Sequence, residues 1–271
     1  MRLLRSLALL LLATAVPALA ARAQARTSTD GDTFRWAGKV PAGRWLMVRN
    51  LNGGVRVTAA TGDQAEVVAE KRSRRGDTDD VTFRVVTFGA NKDNVLICAL
   101  WDEDDECDED GYESHGHHGR RRNDTSVEFE VKLPAGVKMD ASTVNGSVDV
   151  TGARAEVSAH TVNGRVEATT SGGPVSAGTV NGDVYVTMGA IPSNEDLEFT
   201  TVNGSIVLTL PEQFDAEVSL STVNGRFRTD YPVTVSGNLD PRRLRATIGK
   251  GGRRLKASTV NGSLELRKAK S

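Results

Sequence analysis

The amino-acid sequence predicts an all-β protein: a β-solenoid, or β-helix-like stack of short strands, with repeats of about 18–22 residues. The first observation is a recurring phrase, Thr-Val-Asn-Gly, which begins at positions 143, 161, 179, 201, 222 and 259. The intervals are 18, 18, 22, 21 and 37 residues, and the last is about two periods. Self-similarity at a short period is typical of stacked repeat architectures.

The second observation is the alternation of apolar and polar residues on both sides of the phrase. Val157 and Ala159 precede one copy, and Val184 and Val186 follow the next. A period of two over five or six residues indicates strands with one face toward a core and one toward water. Helical spacing is absent after the first 25 residues, and the aromatic content of 5% suits a thin core of Val and Ala.

The Asn-Gly pairs predict turns, because Asn tolerates positive φ and Gly adopts it freely. Each pair fits a solenoid corner, and it also fits the turn of an antiparallel hairpin meander, which is the alternative fold. The 18-residue period favours stacking. The predicted turns are Asn52 and Gly53 (a looser copy), Asn145 and Gly146, Asn163 and Gly164, Asn181 and Gly182, Asn203 and Gly204, Asn224 and Gly225, and Asn261 and Gly262.

The N-terminus has the layout of a secretory signal peptide over residues 1–25. Arg2 and Arg5 precede an apolar run, and Ala23-Gln24-Ala25 supplies small residues for cleavage. A cut after Ala20 and an uncleaved anchor helix are the alternatives. Export to the periplasm, the cell surface or the medium is therefore expected.

Composition excludes two classes of protein. Lys plus Arg number 34 and Asp plus Glu number 35, so there is no basic excess for nucleic acid. Removing three arginines with residues 1–25 leaves 31 basic and 35 acidic residues, a net charge of −4. No later segment reaches 18 continuous apolar residues, which excludes a polytopic membrane protein and any span after cleavage.

The rest of the chain divides into four segments. Residues 26–39 are expected to be a flexible lead, residues 40–101 an N-terminal β region that caps the stack, residues 102–125 an insertion loop, and residues 126–271 the repeat solenoid. Candidate strands of the capping region are 44–49, 54–59, 65–72, 80–88 and 94–101. The charged tail Arg267–Lys270 is expected to guard the open end of the stack.

Two cysteines, Cys98 and Cys107, lie nine residues apart. In an oxidising compartment a disulfide between them would close a small loop. Two free thiols or a metal pair are the alternatives, and the spacing disfavours zinc.

The insertion loop is rich in acids and histidines. Carboxylates suit hard cations and imidazoles suit transition metals, so weak metal association is one hypothesis. Its spacing matches no EF-hand and no helical His pair, and a solvated, disordered loop is the other hypothesis. The weak candidate ligands are Asp104, Asp108, Asp110, His115, His117 and His118, while His160 is expected to be a surface histidine on a strand.

No catalytic residue and no cofactor site is predicted. Asp149, Glu156, Glu167, Asp183 and Glu217 fall on outward-facing strand positions without a repeated pairing. Solubilising surface charge explains them better than the paired carboxylates of a polysaccharide-cleaving enzyme.

Several motifs carry a family resemblance. The repeated phrase, Leu210-Pro211, and the closing Ala257–Leu266 resemble the bacterial "putative adhesin" family of unknown function, also called the toastrack domain, a β-solenoid-like module of exported or membrane-tethered envelope proteins. Val40-Pro41-Ala42-Gly43 and Asn50–Val57 extend the similarity over most of 40–271. The resemblance implies an envelope role and no known catalytic residues.

The resulting hypothesis is a non-catalytic, adhesin-like envelope protein that binds an envelope polymer, a partner protein or copies of itself. Stacked Thr and Asn side chains would present a regular row of hydrogen-bonding groups. The alternative is a metal-associating envelope protein that acts through residues 102–118.

Overall fold

Strands form nearly all of the regular structure in the computed structural model, which describes residues 25–74, 77–102, 104–113, 124–191, 195–235 and 240–269. The signal segment lies outside the described residues, except for Ala25. Within the described ranges the one helical element is a 3₁₀ turn, Thr78–Asp80, and none of the helices is long and apolar enough to cross a membrane. The prediction of an all-β fold is confirmed.

Two sheets of 11 strands face each other across a single core. Sheet A has the spatial order β1 (Arg26–Asp30), β2 (Thr33–Gly38), β5 (Ala65–Arg72), β10 (Ser126–Leu133), β4 (Val55–Ala59), β12 (Val148–Ala153), β14 (Val166–Thr170), β16 (Val184–Met188), β18 (Ile206–Leu210), β24 (Leu264–Lys268) and β20 (Phe227–Thr229). Sheet B has the order β21 (Val233–Val235), β22 (Arg243–Ile248), β19 (Ala216–Asn224), β23 (Arg254–Asn261), β17 (Leu197–Thr200), β15 (Val175–Gly178), β13 (Val157–Asn163), β11 (Lys138–Asn145), β3 (Trp45–Arg49), β7 (Asn94–Leu100) and β6 (Thr82–Phe88). A separate hairpin joins β8 (Glu106–Cys107) and β9 (Tyr112–Glu113).

The phrase Thr-Val-Asn-Gly marks corners, and the hairpin alternative is wrong. β11 and β12 flank the first copy, yet they lie in different sheets, and each pairs in parallel with the equivalent strand 18 residues on. One strand of sheet B, a corner and one strand of sheet A therefore form a coil. Parallel stacking of such coils gives the solenoid.

The alternation read from the sequence places the core correctly. In β13 the buried residues are Val157, Ala159 and Thr161, while Ser158 and His160 face outward. Equivalent residues of successive coils stack in register; Ala159, for example, lies between Ala141 and Ala177. The core thus consists of ladders of small apolar side chains.

The order of the coils in space differs from their order in the chain at the C-terminal end. The last coil, β23–β24, inserts between β17–β18 and β19–β20. The 37-residue interval is therefore not two stacked periods: it contains an excursion through β21 and β22 and a return to the interior. Because β24 has neighbours on both sides, Arg267 and Lys268 at its end do not lie at an open end of the stack, and the prediction that the charged tail guards one is wrong for these residues. Lys270 lies outside the described residues.

The two ends of the stack are closed largely by antiparallel strands. Beyond β10, sheet A continues through β5, β2 and β1, and beyond β7, sheet B continues through β6. At the other end β22 and β21 extend sheet B. The expectation of a flexible lead over 26–39 is wrong, because β2 pairs with β5 and buries Phe34 and Trp36 in the core.

Candidate functional site

The corners of seven successive coils form a continuous edge along the stack. We call it the Val–Asn edge and define it by the second and third residues of each corner. Its apolar row is Leu51, Val144, Val162, Val180, Val202, Val260 and Val223, and its amide row is Asn52, Asn145, Asn163, Asn181, Asn203, Asn261 and Asn224, both in spatial order. At about 4.8 Å per coil, six steps give an edge of about 29 Å.

The threonine of each corner points inward and holds the coils together. Thr161 is 6% exposed, and its Oγ1 donates to the carbonyl oxygen of Gly146 in the neighbouring coil at 2.8 Å. The same bond recurs at 2.8–2.9 Å in every corner that carries the phrase. The threonines therefore cannot form the solvent-facing row expected from the sequence.

The glycine of each corner is required by close approach. A Cβ added to Gly164 would lie 2.0 Å from the carbonyl oxygen of Gly146, and the other corner glycines are similarly close to their neighbours. No corner asparagine has a positive φ, and among the corner glycines Gly53 and Gly182 do. The positive φ inferred from the sequence is therefore not the feature that the corners share, although the turn positions are right.

The asparagine side chains form a ladder on the surface. Nδ2 of Asn181 donates to Oδ1 of Asn163 at 2.9 Å, and Nδ2 of Asn203 donates to Oδ1 of Asn181 at 2.8 Å. An amide has two N–H donors and two acceptor sites on its oxygen. Each interior rung therefore keeps one donor and one acceptor site for a ligand.

The valines between the Thr and Asn rows face solvent. The exposed fractions are 37%, 39%, 39%, 40% and 51% for Val162, Val180, Val202, Val260 and Val223, respectively. The strand parity that buries Thr161 places Val162 outside, so the sequence contained the signal. These valines were not among the predicted site residues.

In the first corner an asparagine replaces the threonine that bonds to the neighbouring coil. Asn50 occupies the position of the threonine, is 2% exposed, and donates from Nδ2 to the carbonyl oxygens of Gly53 and Val127 at 3.0 and 2.8 Å. Asn52 extends the amide row and donates to the carbonyl oxygen of Thr125 at 3.0 Å. The edge therefore begins at the coil of β3 and β4.

The described part of the insertion is a compact lobe and not an extended loop. Cys98 and Cys107 form a disulfide, and Cys107 packs with Met47, Leu96 and Leu100 on the outer face of sheet B. We call residues 102 and 104–113 the acidic lobe. Its hairpin β8–β9 gives the segment an ordered path that the charge pattern did not predict.

A buried carboxylate organises the start of the acidic lobe. Asp105 is 1% exposed, and its Oδ2 accepts hydrogen bonds from the main-chain N–H groups of Trp101 and Asp102 and from the hydroxyl of Tyr112. Burial and the hydrogen bond to this carboxylate raise the pKa of Tyr112. Asp105 therefore acts as a structural anchor.

The metal hypothesis gains nothing from the described residues. Among them, no group of three His, Cys, Asp or Glu side chains converges. Oδ1 of Asp108 accepts from the N–H groups of Asp110 and Gly111 in a turn, and Asp104 and Asp110 are exposed. His115, His117 and His118 lie outside the described residues.

The remaining candidates lie apart from one another. His160 is on β13 of sheet B, where an added Cβ on Gly178 would lie 3.0 Å from its Nδ1, and desolvation lowers the pKa of His160. Asp149 and Glu167 share an ion-pair partner, Arg165, on sheet A. The described residues bring no pair of these carboxylates around a common cleft.

Comparison with known proteins places this geometry among solenoids of one type. No curated protein matches the chain. One matching crystal structure is that of a "putative cell adhesion protein" from Clostridium sporogenes, with a TM-score of 0.48 and 7% identity over 91% of this chain and 100% of the other. The model of the Toastrack DUF4097 family matches residues 113–267, more than half of the sequence, and the chain therefore belongs to the Toastrack DUF4097 family.

Proposed function

We propose that the protein is an exported, non-catalytic, adhesin-like component of the cell envelope that uses the Val–Asn edge to bind an envelope polymer or a partner protein. The carrying observation is the row of five valines, each 37–51% exposed, beside an amide ladder. Exposed apolar residues in a contiguous row are typical of interaction surfaces. The five valines and their asparagines have no charge, so this contact would depend little on pH or salt.

The shape of the edge suits an elongated ligand. Its residues repeat at the coil spacing, about 4.8 Å, along a rigid line of about 29 Å. A polymer or an extended peptide lying along the line could place apolar groups on the valines and hydrogen-bond the free amide positions. The conformational entropy lost on binding would come mainly from the ligand, since the hydrogen bonds between coils already fix the edge in one conformation.

Export is the second half of this proposal. Its support is the signal-like layout of residues 1–25 and the Cys98–Cys107 disulfide, which persists in oxidising compartments. Periplasm and cell surface are both compatible with it. Mass spectrometry of the mature N-terminus, with fractionation of the cells, tests it: retention of residues 1–25 in the cytoplasm would refute export.

Co-sedimentation of residues 26–271 with purified cell wall and with envelope membranes tests the binding role. We expect saturable retention that a chelator does not change. The double variant Val180→Glu with Val202→Glu should lose retention, since both residues are exposed and contribute little to the core.

The matched control is Val235→Glu, because Val235 is 39% exposed but lies outside the edge. It should bind like the unaltered chain. Absence of retention, or retention that survives the double substitution on the edge, would refute the proposed role of the edge. Retention that a chelator abolishes would direct attention to the acidic insertion instead.

A further inference from the structure

The outer face of sheet B carries a group of exposed acids at one end and two arginines without ion pairs to described residues at the other. At one end lies the acidic lobe, in which Asp104, Glu106, Asp108, Glu109 and Asp110 are all exposed. The lobe is fixed to the sheet by the disulfide and by a hydrogen bond of 3.3 Å from Nη2 of Arg49 to the carbonyl oxygen of Glu109. It is therefore a rigid, negatively charged projection.

At the other end lies a depression of about 490 Å³ that we call the basic trough. Ser219 lies between Lys256 and Arg245 in the strand register. Arg254 lines the same depression, as do the carboxylates of Asp196, Glu198 and Glu217, so the name refers to the arginines at its rim and not to a net charge of its lining. Arg254 pairs with Asp196 and Lys256 pairs with Glu198, each at 2.7 Å. Arg245 and its neighbour Arg243 form no ion pair with the described residues, so their charge is available to a partner.

The strand register aligns the lobe and the trough on the same two rows of side chains. Met47, which packs under the lobe, begins a row across sheet B that ends at Arg245, and Arg49 begins the adjacent row, which ends at Arg243. The rows cross seven strand intervals, or about 34 Å. Between the ends of the two rows, the middle strands carry the small residues Ser158, Ser176 and Gly178, which project little from the face.

We propose that two copies of the chain form an antiparallel dimer through this face, with the acidic lobe of each copy in the basic trough of the other. The eight strands from β3 to β22 form the contact face. A twofold axis parallel to the strands, between β15 and β17, leaves four of them on either side and exchanges β3 of one copy with β22 of the other. The same rotation places each lobe opposite Arg243 and Arg245. Such an interface is isologous, because one patch is complementary to itself.

The size of the face is compatible with a dimer. Eight strands at about 4.8 Å, with about five residues each at 3.3 Å, give about 600 Å² per copy and about 1,200 Å² in total. That value is near the lower limit for specific interfaces, so charge pairing must contribute to affinity and to orientation. The Val–Asn edge stays outside this contact, and the dimer does not depend on the proposed envelope binding.

Sedimentation velocity of residues 26–271 tests the dimer. We expect a dimer at low salt that weakens at high salt. The variant Arg243→Glu with Arg245→Glu should weaken it about 100-fold or more, because two attractive contacts become repulsive. Glu109→Lys with Asp110→Lys, whose side chains make no hydrogen bond with described residues, should do the same.

An equimolar mixture of the two double variants is the decisive measurement. In the mixed dimer the unaltered lobe of one variant meets the unaltered trough of the other, and the two introduced lysines face the two introduced glutamates, so dimerisation should return. Arg56→Glu, on the exposed face of sheet A, is the control and should leave the dimer intact.

A chain that stays monomeric at every concentration, or a dimer that ignores both reversals, would overturn the proposal. So would a monomer that retains a soluble polyanion through Arg243 and Arg245, since the trough would then serve an anionic polymer. Pull-down with cell wall distinguishes the two proposals: the charge variants should still be retained, and the variants of the Val–Asn edge should still dimerise.

Discussion

Gly164→Ala is the sharpest test of how the coils are held together. The new Cβ would lie 2.0 Å from the carbonyl oxygen of Gly146 and 2.6 Å from its carbon. Real contacts of this kind need more than 3 Å, so the two coils would have to separate locally by about 1 Å. They are held by the bond from Thr161 to the same carbonyl oxygen at 2.8 Å and by the bond from the N–H of Gly146 to Asn163 at 3.0 Å.

The expected cost follows from these contacts. Separation would stretch or break two or three hydrogen bonds at about 1 kcal/mol each, and overpacking adds about 1–3 kcal/mol. We therefore expect Gly164→Ala to lower the free energy of unfolding by about 3–6 kcal/mol, a large part of the 5–15 kcal/mol typical of a domain. Urea unfolding followed by circular dichroism measures it from the midpoint at constant m value.

Gly62→Ala is the matched control. Nothing lies within 4 Å of a Cβ built on Gly62, and its φ is outside the positive range, so the substitution should change stability by about 0.5 kcal/mol or less. If Gly164→Ala were as mild as Gly62→Ala, close approach would not be the reason for the corner glycines.

Three further predictions concern other contacts. Thr179→Val should cost about 1–2 kcal/mol in urea unfolding, because it removes the 2.9 Å bond to the carbonyl oxygen of Gly164, while Thr179→Ser should keep most of that bond; equal costs would contradict its importance. Replacing Cys98 and Cys107 together by Ser should lower stability by about 2–3 kcal/mol, and a reductant should then have no further effect on the midpoint; an unchanged midpoint would mean that the bridge does not constrain the chain. Burial raises the pKa of Tyr231 to about 12 from 10.0. The contribution of the protonated Tyr231 to the free energy of unfolding is therefore complete below pH 10 and is lost as pH rises toward 12. Between pH 10 and 12 the unfolding free energy falls as pH rises, because the unfolded chain binds up to one proton fewer than the folded chain at Tyr231. Tyr231→Phe should make this fall less steep, and an unchanged slope would contradict the raised pKa of Tyr231.

The sequence predicted the elements that repeat. Alternation in β13 and its equivalents identified the core, and the recurring Asn-Gly marked the seven corners that lead from sheet B to sheet A along the Val–Asn edge. The four residues of the phrase have separate tasks: Thr bonds to the next coil, Val faces solvent, Asn forms the surface ladder, and Gly permits close approach. Turn propensity accounts for the positive φ of Gly53 and Gly182 but not for these four tasks, so it did not reveal what the Asn-Gly pairs have in common.

The order of the coils could not be predicted for a physical reason. The corner of β19 and the corner of β23 have the same four residues, so either coil can stack on its neighbours with the same hydrogen bonds. Only connection lengths and long-range packing distinguish the arrangements. The lead segment differs, since the alternation of Phe34 and Trp36 around Arg35 was visible and indicated a strand.

The acidic lobe was the hardest segment to predict. It has no period, and its net charge is typical of a solvated loop. Its order comes from the Cys98–Cys107 disulfide, which the sequence predicted, and from the apolar contact of Cys107 with Met47, which lies far earlier in the chain. Sequence patterns of short range do not contain a contact of the second kind.

The insertion of β23 and β24 between strands that precede them in the chain has a consequence for how the protein folds during synthesis. During synthesis the strand β17 has no neighbour on one side until β23 has been made, so the stack cannot grow coil by coil in the order of the chain. A chain that stops before residue 254 would leave two half-stacks with open parallel edges, and such edges aggregate. New repeats can therefore be added between residues 146 and 204, where chain order and spatial order agree, without separating β23 and β24 from their neighbours.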